Sequence, residues 1–448
     1  MAELIISISG IRGVVGDGLG PREALRFGLA FGTYLRDGTV VLGRDSRPSG
    51  DMLASAVQAA LLATGCRVLQ VGILSTPGVS VVVRQTQAAG GVVLTASHNP
   101  PAYNGLKMLS SEGMAVDRDV GAAVLHHYEK EDFVEHGTDG IGQAEIVPDA
   151  IEQHVQRVLA IVHPETVGRA GLPVVVDAAN GAGGAEMRML LEHLGCDVTM
   201  VHGEPTGRFG RGPEPVPENL GDLGRAVRDT GAAIGLALDP DADRLALVDA
   251  DGRPLGEEYT LALAARHRLT QQVGPLAANL STSRMLDAVA TEAGVAVHRT
   301  PVGELNVALA IREHRCVLGG EGNGGVIDPR VTPVRNSLVG AALVLEMMAE
   351  RGATLRELAD ELPVYTMVKE KVPLTDADPE TVFAVVRERF ADARMDDRDG
   401  LHLSWETGWL HVRASNTEPI LRILAEAEDE GTVRGWVETV RGLVVRVS

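Results

Sequence analysis

Apolar residues fall along most of the chain in short runs separated by helical periods, and the same order of runs occurs three times. The first copy runs through TVVLGRDS, the helical stretch MLASAVQAALLATG, then CRVLQVGI and GGVVLTASHNP. The second runs LPVVVDAAN, AEMRMLLEHLG, CDVTMVHG and AAIGLALDPDADR; the third runs LAANLS, SRMLDAVATEAG, VAVHRTPVG and RCVLGGEGNGG. Strands alternating with helices of this length pair in parallel through crossovers, so each copy predicts a layered α/β domain. Ligands gather beyond the carboxyl ends of such strands, and TASHNP, DPDADR and GGEGNGG all follow equivalent strands, so the three loops are expected to face one cleft.

After about Pro363 the pattern changes to shorter elements: TMVKEKVPL, ETVFAVVRERFA, LHLSWETGWLHVRAS and ILRILAEAE. These predict a smaller α+β domain carrying a fourth loop, RASNTEP. The expected fold class is therefore α/β, with three sibling domains of mixed or parallel sheets and a C-terminal α+β domain around a central cleft. The expected domains are residues 1–150, 151–252, 253–365 and 366–448. Residues 208–219, rich in Gly and Pro, read as an extended loop in the second copy, and Asp249 and Asp251 as an ordinary hairpin turn.

The loops carry the candidate chemistry. Asp239, Asp241 and Asp243 alternate in DPDADR and converge on one hard cation if the loop curls, with Arg244 beside them; the plainer reading is an exposed acidic turn. Ser97 is displayed directly after an apolar strand, next to Thr95 and His98, a placement that fits hydrolase, kinase-like or mutase chemistry. In RASNTEP, Arg413, Ser415, Asn416 and Thr417 can grip phosphate oxygens, or can be polar caps on a strand-to-helix connection. Glu321 and Asn323 in the glycine loop suit sugar hydroxyls, and Arg12 and Lys107 are further cations near the proposed cleft.

Composition narrows the partners. The chain has 448 residues and a formal net charge of −20 spread along its length, which argues against nucleic acid or an anionic membrane as partner. Cys66, Cys196 and Cys316 are far apart, so neither a disulfide framework nor a zinc site is expected, and a reducing, cytoplasmic setting fits. No stretch approaches the ~20 apolar residues of a spanning helix, and the N-terminus lacks the pattern of a signal peptide. Monomer and homodimer are both compatible with the sequence.

Taken in order, SGIRG, TASHNP, YNGLK, DPDADR, GGEGNGG and RASNTEP resemble the α-D-phosphohexomutase superfamily, from Gly10 to the last domain. The resemblance implies four domains around a cleft, with Ser97 as a phosphoserine and Asp239, Asp241 and Asp243 holding Mg²⁺ together with its phosphate. It implies that Glu321 and Asn323 meet sugar hydroxyls while Arg413, Ser415, Asn416 and Thr417 hold the non-reacting phosphate of a hexose phosphate. Phospho-Ser97 would convert the monophosphate into a hexose 1,6-bisphosphate, which is both intermediate and activator, and then recover a phosphoryl group from its other end. Arg12 and Lys107 are the implied proton-transfer partners, His98 an orienting neighbour and Arg244 a cation at the substrate.

Two positions depart from the family pattern: Gly324 and Gly325 stand where many bacterial members have Gly-His, and Glu304 stands where a lysine often follows Val-Gly. The SISGIRG start and GGEGNGG loop look most like the phosphoglucosamine mutase branch, so glucosamine phosphate is the expected sugar. A phosphomannomutase/phosphoglucomutase is the nearest alternative. A phosphosugar-binding regulator without turnover and a metal-dependent phosphatase are the readings from other classes.

Overall fold

A computed structural model describes residues 4–374, 378–415 and 420–447. In the first domain the strand Thr39–Arg44 lies between its parallel neighbours Arg67–Ile73 and Gly90–Leu94, and Tyr103–Ser110 closes on the last antiparallel. The second domain repeats the order: Pro173–Asp177 lies between Asp197–Val201 and Ile234–Leu238, with Leu245–Val248 antiparallel at the edge. So does the third, with Leu276–Asn279 between Val297–Thr300 and Leu318–Glu321, and Gly325–Ile327 antiparallel. Further strands widen the first sheet to eight, among them Gly10–Val15, which pairs with Tyr103–Ser110.

Each copy also contains a second helix, ahead of its third strand, that the sequence pattern did not single out: Thr76–Gln85, Gly221–Thr230 and Glu304–His314. In TPGVSVVVRQ the valine run reads locally as strand, but Pro77 starts a helix, Ser75 caps it by accepting from Gly78 N, and its first eight residues are all buried. Tertiary packing overrides propensity there. The C-terminal domain is a five-stranded antiparallel sheet on which the helices Pro379–Arg389 and Glu430–Val447 pack together. RASNTEP leaves the strand Gly408–Ala414, and the next element is the antiparallel strand Ile420–Ala427, so the strand-to-helix reading of this loop is corrected.

The first three domains share their interior. One apolar cluster runs from Val81 in the first, through Val176 and Leu236 in the second, to Leu343 and Val344 in the third. A polar node is buried beside it. Ser75 N and Oγ donate to Glu186, Glu186 Oε1 lies 2.7 Å from His154 Nδ1, and His154 Nε2 accepts from Asn336 Nδ2 at 2.8 Å. Asn336 Oδ1 in turn caps the helix Ser337–Arg351 through Leu338 N and Val339 N.

Replacing Asn336 with Ala removes that cap and leaves a buried imidazole nitrogen unpaired, so a loss of about 2–3 kcal/mol is expected. Urea unfolding of the variant beside the parent measures it; a loss under about 0.5 kcal/mol, the range of neutral surface changes, would contradict this view of the node.

Candidate active site

Ser97 follows the buried strand Gly90–Leu94 with φ +48°, a left-handed conformation uncommon for serine. Arg47 holds the loop there. Its side chain is fully buried, its Nε pairs with Asp45 at 3.0 Å, and its two terminal nitrogens donate to the carbonyls of Ser97, Asn99, Pro100 and Tyr103 at 2.7–2.9 Å. Asp45 also accepts from Thr95 Oγ1 at 2.7 Å, and Thr95 Oγ1 accepts from Ser97 N at 2.9 Å. All five guanidinium donors are used, and an orphaned buried donor would be costly, so the serine loop has little freedom to relax. Sequence reading missed Arg47 because a lone arginine normally reads as solvated surface.

The metal loop curls as its spacing requires. Ala242 has φ +52°, Asp239 Oδ1 accepts from Asp243 N and Arg244 N, and the three aspartates are buried. Oxygen atoms of the three carboxylates lie within 4.8 Å of one another. Asp241 Oδ1 and Asp243 Oδ1 are buried without a hydrogen-bond partner among the described residues. Orphaned oxygens on a buried cluster of three carboxylates fit a hard divalent cation such as Mg²⁺ and do not fit the exposed acidic turn. Ser97 Oγ lies 3.4 Å from Asp239 Oδ2 and 3.3 Å from His98 Nδ1, so the serine and metal loops meet.

Arg335, which the sequence reading did not single out, ties the centre together. It pairs with Asp243 of the metal loop, with Glu321 of the glycine loop at 2.6 Å and with Glu304 at 3.2 Å. Glu304 also pairs with Lys107 at 3.0 Å. The two departures from the family pattern meet here. A side chain on Gly325 would stand 2.1 Å from Arg335 Cδ, so the arginine fills the space beside the glycine loop, and Glu304 faces Lys107 across the domain boundary. Gly324 has φ +84° and packs on Leu245, whose N–H donates to its carbonyl.

The remaining predicted residues take varied positions. Arg244 is buried and pairs with Glu214 of the loop at residues 208–219 at 2.9 Å. Arg12 donates to Asn99 at 2.8 Å. Glu321 is occupied by Asn279, Gly303 N and Arg335. Asn323 Oδ1 accepts from Gly325 N within its own loop. Arg413 pairs with Asp399 at 3.2 Å, and Asp399 accepts from Val302 N in the third domain. Ser415 N donates to the Ile420 carbonyl, while Asn416 and Thr417 lie outside the described residues.

Electrostatics assign protonation states. Burial, with Asp243 and Asp241 as neighbours, raises the Asp239 carboxyl well above its ordinary range, and burial with Asp243 raises Asp241. Asp243 goes the other way: burial opposes ionisation, but Arg335 and Arg244 outweigh it and lower its pKa. His98 is pushed down to about 3 by burial and by Arg244, so it is neutral near pH 7. Burial alone would lower Lys107, but Glu304 and Asp243 outweigh it and the ammonium stays charged.

Raised carboxyls keep protons that a cation must displace, so Mg²⁺ affinity should rise with pH. Each ion bound should release more protons at about pH 5.5 than at about pH 8.5. Calorimetry in buffers of different ionisation enthalpy reads that release; its absence at both pH values would contradict the assignment.

Known proteins resemble this chain along nearly its whole length. Residues 4–135, 152–252 and 256–365 match the phosphoglucomutase/phosphomannomutase alpha/beta/alpha domains I, II and III, and residues 370–443 match the C-terminal domain. A probable phosphoglucosamine mutase of Methanopyrus kandleri is 41% identical over 98% of both chains. A phosphoglucomutase/phosphomannomutase of Thermococcus kodakarensis is 40% identical over 96% of both. The crystal structure of a phosphoglucomutase/phosphomannomutase family protein from Burkholderia thailandensis superposes with a TM-score of 0.86 at 28% identity, covering 99% of this chain and 98% of that one. With all four domains matched in order and relatives similar over nearly the whole length, the chain belongs to the phosphoglucomutase/phosphomannomutase family of phosphohexomutase isomerases.

Proposed function

We propose that this enzyme interconverts glucosamine 6-phosphate and glucosamine 1-phosphate through phospho-Ser97 and a hexose 1,6-bisphosphate. The observation that carries the reading is Ser97 Oγ, 3.4 Å from Asp239 in a buried carboxylate triad that Arg335 joins to the glycine loop. In the first half-reaction the Ser97 Oγ–P bond breaks as a sugar oxygen bonds to phosphorus. In the second, the other phosphate of the bisphosphate returns to Ser97. Asp239, Asp241 and Asp243 would hold Mg²⁺, which when bound neutralises charge on the transferring phosphoryl group. The charged Lys107, facing the triad, is the proton donor for the serine oxygen as it leaves, and it is restored by the proton the attacking sugar hydroxyl gives up. His98, neutral and 3.3 Å from Oγ, orients the hydroxyl. Arg12 and Arg244 attract the phosphates, Glu321 and Asn323 meet sugar hydroxyls, and Arg413 with the rest of its loop takes the non-reacting phosphate.

The sugar assignment rests on the SISGIRG and GGEGNGG loops and on the Methanopyrus kandleri relative. The phosphomannomutase/phosphoglucomutase reading has support of nearly equal weight in the Thermococcus kodakarensis relative. A cytoplasmic site fits three free cysteines and phosphorylated sugar substrates; no helix among the described residues is long and apolar enough to cross a membrane.

Phosphorus NMR with Mg²⁺, a trace of hexose 1,6-bisphosphate and, separately, glucosamine, mannose and glucose 6-phosphates should show 1-phosphate appearing fastest from glucosamine. Faster turnover of mannose or glucose moves the enzyme to the other branch. Ser97→Ala should lose roughly a thousandfold or more of the conversion while keeping substrate binding. No conversion by the parent would leave a binding protein, and stoichiometric release of inorganic phosphate would make it a phosphatase.

A further inference from the structure

A second cavity, of about 760 Å³, opens between the first and third domains. It lies at the amino ends of the parallel strands, opposite the catalytic loops: Gln87 and Ala88 line it just ahead of Gly90–Leu94, and Cys316 and Val317 just ahead of Leu318–Glu321. Five arginines line it, Arg84, Arg268, Arg312, Arg315 and Arg330, in a protein whose net charge is −20. So dense a positive wall in an acidic chain calls for an explanation.

Local carboxylates supply only part of one. Glu112 pairs with Arg312 at 2.7 Å, and Asp328 with Arg330 at 2.7 Å. The Arg268 side chain is 3% exposed, its Nε makes no hydrogen bond, and its carboxylate neighbour is the already engaged Asp328 at 3.7 Å. The Arg315 side chain has no hydrogen-bond or ion-pair partner among the described residues. Arg315 is exposed at the cavity and Arg268 keeps one unsatisfied buried donor, so the wall carries positive charge that its own carboxylates do not match and that an entering anion would. Phosphate oxygens match the planar fork of arginine best.

Between the arginines the wall is mixed: Gln87, Ser111 and Gln272 are polar, while Ala88, Met114, Ala308, Ile311, Val317 and Pro329 form an apolar part. A hexose phosphate has no apolar body to place there. The volume lies within the range of about 300–1,000 Å³ usual for small-molecule sites. We infer that this cavity binds a nucleoside polyphosphate, with phosphates on the arginines and the base against the apolar part of the wall. The site is also connected to the reaction centre. The helix Glu304–His314 starts at the Lys107 and Arg335 partner and ends at Arg312 and Arg315. Thr76 opens the helix Thr76–Gln85 with a hydrogen bond to Asp241, and Arg84 stands at its other end.

Calorimetric titration of the Mg²⁺-loaded enzyme, saturated with hexose 1,6-bisphosphate to fill the catalytic cleft, with ATP, GTP and UTP in turn tests this. At least one nucleotide should bind, and Arg315→Glu and Arg312→Glu should each weaken it at least tenfold with the thermal midpoint unchanged. The readout is binding, so it stands apart from whether the sugar assignment holds. The inference fails if none of the three binds, if binding is indifferent to both variants, if hexose bisphosphate displaces the nucleotide, or if pyrophosphate binds as tightly as every nucleotide.

Discussion

Three buried carboxylates with oxygens within 4.8 Å of one another repel strongly and can be fully ionised together only when cations surround them. Arg335, Arg244 and Lys107 meet part of that demand, and the orphaned oxygens of Asp241 and Asp243 leave room for a bound cation to meet the rest. The members of this network come from different domains: Lys107 from the first, the triad and Arg244 from the second, Arg335 and its partner Glu304 from the third. The centre therefore forms only when the three domains pack together, and the shared apolar cluster with its Ser75, His154, Glu186 and Asn336 node is what packs them. Removing one partner of such a network would leave another charge buried and unpaired.

The repeated sheet order makes this convergence possible. In each of the three domains the third strand, Gly90–Leu94, Ile234–Leu238 or Leu318–Glu321, delivers a functional loop at its carboxyl end. Asp45, just past the first strand of its domain, and Asp177 and Asn279, at the ends of theirs, hold neighbouring loops through Arg47, Arg211 and Glu321 respectively. One topology thus places Ser97, the aspartate triad and Glu321 at equivalent strand ends, and the three copies differ in the loop residues they carry.

The loops were legible in the sequence because their chemistry is local. Carboxylates at alternate positions and a serine displayed after an apolar strand announce themselves within a few residues. Arg47 and Arg335 were not legible, since each draws its meaning from partners far away in the chain. Glu304 read only as a departure from the family pattern, and the structure shows it as the link between Lys107 and Arg335. The valine-rich helix Thr76–Gln85 was hidden because burial on nearly all sides erases helical periodicity. RASNTEP was ambiguous because polar residues suit a helix cap and a hairpin alike.

Under the proposed function, Ser97, held by Arg47 beside the aspartate triad, carries the phosphoryl group between turnovers. Incubating the enzyme with Mg²⁺ and hexose 1,6-bisphosphate, then measuring intact mass and mapping peptides by mass spectrometry, tests it most directly. One added phosphoryl group is expected, located on Ser97 and lost on addition of excess hexose monophosphate. A protein that turns over substrate while staying unmodified, or that carries the phosphoryl group on any other residue, would contradict it.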